Sequence, residues 1–198
     1  MNEAHQMYDD LLEALEPILP RTVYQDVRRV RTLAWAITGL CLSHTVQLSA
    51  WAQVLESRAQ YAASRVRHFS RWLRHPAIHP QEWYRPVIQA ALIDWPGGSR
   101  LYVALDTTAL TPFVLIRASL VYRGRAIPLA WRAVRHRSTQ FGFEDYQPVL
   151  NQVCAIVPPG LVITLLADRG FVHKQLFHYL HQQQWHLVNK VTSEQVLR

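Results

Sequence analysis

Apolar positions recur at helical spacing along the first 95 residues. Leu11, Leu12 and Leu15 mark a first helix, which Pro17 and Pro20 stop. A second helix is predicted over 21–39, with Val23, Val27, Val30 and Ala34 on its apolar side. Ser43 is the expected cap of a third, carrying Val46, Leu48, Trp51, Val54 and Leu55. A fourth is predicted over 61–73 and, after Pro76 and Pro80, a fifth over 81–93. The stretch DWPGGSR (94–100) then combines Pro, two Gly and Ser between this pattern and a different one.

After it the period shortens. Residues 101–105 read as a short buried strand ending at Asp106. Residues 113–122 and 126–134 read as two strands, rich in β-branched and aromatic residues, joined by a turn at Arg123 and Gly124. A helix is predicted over about 145–155, before Pro158, Pro159 and Gly160 break it. The continuous apolar run LVITLLA (161–167) has the signature of a strand buried on both faces, and it ends at Asp168. A helix over about 173–183 and a strand over 185–191 follow. The expected fold class is therefore α/β (α+β): a helical region over 1–95, then a mixed sheet with flanking helices over 96–198.

Composition narrows the partners. The 198 residues carry a formal net charge of +7, and a basic surface most often meets nucleic acid. Nineteen of the 21 basic residues are Arg, which grips phosphate in a bidentate way. Arg67, Arg71 and Arg74 fall at i, i+4 and i+7, one stripe of the fourth helix, while Val66, Phe69 and Leu73 form a stripe suited to a core. Arg65 belongs to the same cationic helix. A second basic cluster, Arg123, Arg125, Arg132, Arg135, His136 and Arg137, is expected near the carboxylates discussed next. Cys41 and Cys154 lack metal-ligand spacing and read as buried apolar thiols. The histidines, among them His68, His75, His79, His173, His178 and His181, lack companions for a tetrahedral set and read as surface residues. No apolar run approaches the roughly 20 residues of a membrane span, so a cytoplasmic protein is expected.

Asp106 and Asp168 share a context, each closing an apolar strand and opening a loop. In open α/β sheets ligands bind beyond strand ends. If the two strands are neighbours, their carboxylates form a pair of hard oxygen ligands suited to Mg²⁺ or Mn²⁺. Paired ions about 4 Å apart can clamp an in-line phosphoryl displacement. The alternative is that each Asp only begins a turn or caps a helix.

The strings DTTAL (106–110), RGRAIPLAW (123–131) and LLADRGF (165–171), in that order, resemble DDE transposases of the insertion-sequence-four type. The resemblance covers residues 60–191. It implies an RNase H-like catalytic core, with Asp106 on the first strand and Asp168 ending the fourth as the first two metal-binding acids. It implies Mg²⁺ (or Mn²⁺) as cofactor, and as partners the terminal inverted repeats of the element and target DNA, in a prokaryotic, nucleoid-associated setting. The N-terminal helices would bind the repeats. Candidate DNA-binding residues are Arg65, Arg67, Arg71, Arg74, Arg123, Arg125, Arg135, Arg137 and Arg169. Arg169 is open to two readings, contact with DNA or pairing with Asp168. A homodimer is open to the full-length enzyme.

The family's third acid is a glutamate in a Y-x-x-R-x-x-x-E-x-x-x-x-x-x-K pattern, and that pattern does not occur here. Glu194 reads as a surface residue. The core is therefore expected to be incomplete at the C-terminus, the product of a truncated, split or frameshifted gene. Two other functions stay in view: a non-catalytic DNA-binding protein acting as an inhibitor or relic, and a general RNase H-like nuclease.

Overall fold

The computed structural model describes residues 2–55, 61–135, 142–171 and 173–189. The chain divides into two compact units, Met1–Val87 and Ile88–Arg198. The division falls inside helix α6 (Pro80–Leu92), so the 94–100 stretch belongs to the second unit.

The first unit is helical. Helix α1 (Glu3–Leu15) starts where the Asn2 side chain accepts from Ala4 N–H, at 3.2 Å. The predicted second helix is interrupted: α2 (Arg21–Tyr24) stops at Gln25, whose φ is +58°, and α3 (Val27–Ser43) begins anew. Asp26 causes the restart, because its carboxylate caps Arg28 N–H at 2.9 Å. That hydrogen bond, together with the Arg28 guanidinium, lowers the Asp26 pKa. The interruption leaves Val27 exposed, whereas Val30 and Ala34 are buried as expected.

Ser43 is the last residue of α3 and not a cap; its hydroxyl turns to Thr45 O. Helix α4 (Leu48–Val54) starts from Gln47, which leaves Val46 exposed. Gly39 lets α4 approach α3, since a Cβ there would stand 3.0 Å from both Trp51 Cβ and Leu55 Cδ1. Helix α5 (Ala62–Leu73) adds Phe69 to a core with Ala36, Trp51 and Leu55, but Leu73 is exposed. A second core joins Leu15, Leu19, Tyr24, Val30 and Trp83.

The second unit is built on a five-stranded mixed sheet of order β3-β2-β1-β4-β5. Strand β1 (Arg100–Leu110) pairs antiparallel with β2 (Phe113–Tyr122), and β2 antiparallel with β3 (Arg125–Arg135). Strands β4 (Val162–Ala167) and β5 (His186–Asn189) extend the sheet in parallel from β1. The β2–β3 turn places Arg123 and Gly124 at φ +49° and +75°, the paired positive values a tight right-twisting hairpin needs. A register shift opposite Ala118 and Ser119 leaves Leu129 as an extra residue of β3, and Leu129 and Ala130 are both buried.

Helices α7 (Phe143–Ile156) and α8 (Lys174–Gln182) connect β3 to β4 and β4 to β5. Both are crossovers to parallel strands, which right-handed geometry brings to one side of the sheet. Helix α7 meets α8 through the Phe143 and Tyr179 rings, and meets the 3-10 turn before α8 through Tyr146 and Phe171. The sheet face carrying Leu101, Val103, Leu105, Ile116, Ala118, Ile163 and Leu165 is buried. Of the alternate positions, Tyr102, Asp106, Phe113, Val121 and Val188 are exposed, whereas Ser119 and Thr164 are buried.

Candidate functional site

Asp106 lies within β1, not at its end. The parallel ladder with β4 runs from Arg100↔Val162 to Leu105↔Ala167 and stops there. The antiparallel ladder with β2 continues through Asp106↔Arg117 to Leu110↔Phe113. The residues TTAL after Asp106 therefore stay extended because β2 supplies their hydrogen bonds, although β4 has left. Asp168 follows the last paired residue of β4 directly. Asp106 and Asp168 are thus the residues that directly follow the last parallel pair, Asp106 still within β1 and Asp168 just past the end of β4. Both are exposed. Asp106 shares its face with Tyr102 and Ala104, and so with their partners Thr164 and Leu166.

Sequence reasoning missed Arg117. It sits directly across from Asp106, and its Nη2 lies 3.7 Å from Asp106 Oδ2. The side chains keep 36% and 62% of their accessible surface, so this is a loose, solvent-facing ion pair. The available signal was a lone charge inside the apolar run FVLIRASLVY.

The loop after Asp168 is held from below. Phe171 N–H donates to Asp168 O at 3.0 Å, closing a 3-10 turn over Arg169–Phe171. The Phe171 ring is buried against Tyr146, whose hydroxyl donates to Phe171 O at 2.9 Å. Burial raises the Tyr146 pKa, with the nearby Glu144 carboxylate adding to it, so this donor stays protonated. Beside it, Tyr179 donates to Asn151 Oδ1 at 2.9 Å and lies 3.3 Å from Cys154 Sγ. Cys154 is therefore a half-buried member of a polar cluster, and Cys41 is exposed; neither is the buried apolar thiol expected.

Arg67, Arg71 and Arg74 are exposed on α5. Arg65 is half-buried and donates from Nη1 to Leu55 O. The hairpin register divides the second cluster. Arg123 follows Arg117 by six residues, about 20 Å of extended chain away from the Asp106 position, and Arg125 lies at the same turn. Arg135 pairs with Phe113 at the other end of the hairpin. Arg132, across from Ile116, reaches Asp145 O at 3.4 Å. Arg123 and Arg125 are thus remote from Asp106, contrary to expectation, because the hairpin turn stands six residues of β2 away from Arg117, the residue paired with Asp106. Arg137, Glu194 and the side chain of Arg169 lie outside the described residues.

Among the described residues no three His, Cys, Asp or Glu side chains gather into a metal-binding group. Two hard oxygen donors at an exposed strand end suit Mg²⁺ or Mn²⁺, which keep several waters when bound. Among the described residues no helix is long and apolar enough to cross a membrane. No protein-family model matches the chain, and no curated protein matches it either.

Proposed function

We propose that the chain carries the first two acids of a metal-dependent DNA transposase of the DDE type, on an RNase H-like sheet. The observation that carries this reading is the register: Leu105↔Ala167 is the last parallel pair, and the next residues are Asp106 and Asp168. Two acids 62 positions apart in sequence (168 − 106) thereby each follow directly on the same last ladder pair, which supports the reading. The first acid on the first strand and the second after the fourth is the order the resemblance implies.

In this reading Asp106 and Asp168 hold Mg²⁺ or Mn²⁺ on the exposed side of the sheet. The bound ion supplies charge neutralisation at the phosphate being cut. Water adds to phosphorus at the element end and the P–O3′ bond breaks, leaving a 5′-phosphate and a 3′-hydroxyl; that hydroxyl then attacks a target phosphorus, and the target's own P–O3′ bond breaks as the new one forms, releasing a target 3′-hydroxyl. The protein's share is positioning. The exposed stripe Arg67, Arg71 and Arg74 supplies phosphate contacts for end binding, which hold register without reading bases. The setting is cytoplasmic, where chromosomal DNA of a prokaryote is reached directly.

The test is a Mn²⁺ titration of the 198-residue chain followed by electron paramagnetic resonance. Asp106→Asn and Asp168→Asn should each weaken Mn²⁺ binding at least about tenfold, since each removes a charged oxygen ligand. Gel shifts on terminal-repeat DNA without metal should be unchanged by either. Full Mn²⁺ affinity in either variant would refute the assignment.

A further inference from the structure

Strand β2 holds one charged residue, Arg117, in the run FVLIRASLVY, and the strand lies inside the sheet between β1 and β3. A charge there needs a reason, because Arg is poorly suited to a half-buried pleated surface. Its ladder partners are Asp106 on one side and Trp131 on the other. The contact with Asp106 is single and 3.7 Å long, beyond the range of a good charge-assisted hydrogen bond. An exposed pair of this kind adds little to stability. It does keep a permanent cation beside a carboxylate that, on the reading above, must bind a divalent cation.

We propose that Arg117 is the positioning residue of the site: it neutralises Asp106 while metal is absent, yields that carboxylate to the ion, and then takes a phosphate of the bound DNA strand. This rests on Asp106 being a metal ligand. A dication on Asp106 repels the guanidinium, and the nearest available anion is then the DNA backbone. Arg suits both states because it stays charged and offers a planar fork that matches a phosphate. The loose geometry is what such an exchange needs, since a short bidentate pair would resist it. The site is thereby biased against holding metal in the absence of DNA.

The test compares wild type, Arg117→Gln, Arg117→Lys and Asp106→Asn, with folding checked by circular dichroism. Mn²⁺ affinity is read by electron paramagnetic resonance without DNA. Duplex binding is read by fluorescence anisotropy with and without Ca²⁺, which occupies oxygen sites. Arg117→Gln should bind Mn²⁺ about fivefold tighter, because a competing positive charge is gone. It should also lose most of the Ca²⁺-dependent gain in DNA affinity. Arg117→Lys should keep wild-type Mn²⁺ affinity and recover part of that gain, as a point charge without the fork. If Asp106→Asn loses Mn²⁺ but Arg117→Gln binds it no tighter than wild type, the role of Arg117 is overturned and the metal site stands. If Asp106→Asn keeps full affinity, both fall together.

Discussion

The two faces of the sheet are made by the same five strands and differ in almost everything else. One face presents Leu101, Val103, Leu105, Ile116, Ala118, Ile163 and Leu165, all buried. The other presents Tyr102, Asp106, Phe113, Arg117, Val121 and Val188, all wholly or partly exposed, together with two buried polar residues, Ser119 and Thr164. Strand alternation makes this division automatic, since each residue's neighbours in the chain belong to the opposite face. The consequence is a separation of tasks. Residues on the covered face are tied to the fold by packing and cannot change without loss. The exposed residues of the other face, Asp106 and Arg117 among them, are placed by the register while contributing little to packing. A charged pair on the covered face would cost desolvation; on the open face it stays hydrated.

The largest expected effect tests the covered side. Ile116→Ala or Leu150→Ala, each fully buried, should destabilise the second unit by about 2–5 kcal/mol. Tyr102→Ser or Phe113→Ser on the open side should change it by about 1 kcal/mol or less. Urea dependence of amide hydrogen exchange in β1, β2 and β4 measures both. A loss at Phe113 as large as that at Leu150 would mean that the open face is packed in solution, and the division of tasks would fail.

How much of this was legible in the sequence depends on what set each feature. The bounds of β2 and the β2–β3 turn were readable because apolar alternation and Arg-Gly are local signals. The extension of β1 past Asp106 was not, because TTAL is held by pairing with β2 rather than by any pattern of its own. The Gln25 break was half legible: Asp26 ahead of VRRV is a cap signal, but apolar spacing ran through it and won the reading. At the candidate site, the types of the two acids could be read, yet the ladder end that both follow is a register and registers are non-local. Arg117 escaped because it lacks a motif and acquires meaning only from the residue across from it. The misplacement of Arg123 and Arg125 has the same root, since closeness in sequence to a hairpin says nothing about which end of it faces the site.

An intermediate effect links the faces. Tyr146 is fully buried under the sheet, and its hydroxyl supports Phe171 O in the loop that presents Asp168. Tyr146→Phe removes one donor and leaves that carbonyl without it, a loss of about 1–2 kcal/mol. If covered residues serve the open face through this loop, Mn²⁺ affinity should fall in the same variant by a fewfold while Ile116→Ala, tested under conditions where it is folded, leaves it intact. Equal losses in the two would assign Tyr146 to general stability alone.

The smallest effect concerns pH. Burial raises the pKa of Tyr146 and of Tyr179, the latter also through its hydrogen bond with Cys154. In the unfolded chain both phenols ionise near their usual value of about 10. Above that pH the unfolded state therefore binds fewer protons than the folded one, and stability must fall as pH rises. The contribution is fully present below about pH 10 and is lost progressively above it. Urea midpoints of the second unit at pH 8, 9, 10 and 11 should decline in the last interval. Tyr179→Phe should start lower, for want of the bond to Asn151, yet decline less steeply, because one of the two titrating groups is gone. A parallel decline in wild type and variant would mean that Tyr179 ionises as freely in the folded unit as in water. The covered face would then be less sealed than the open face's exposed residues make it seem by contrast.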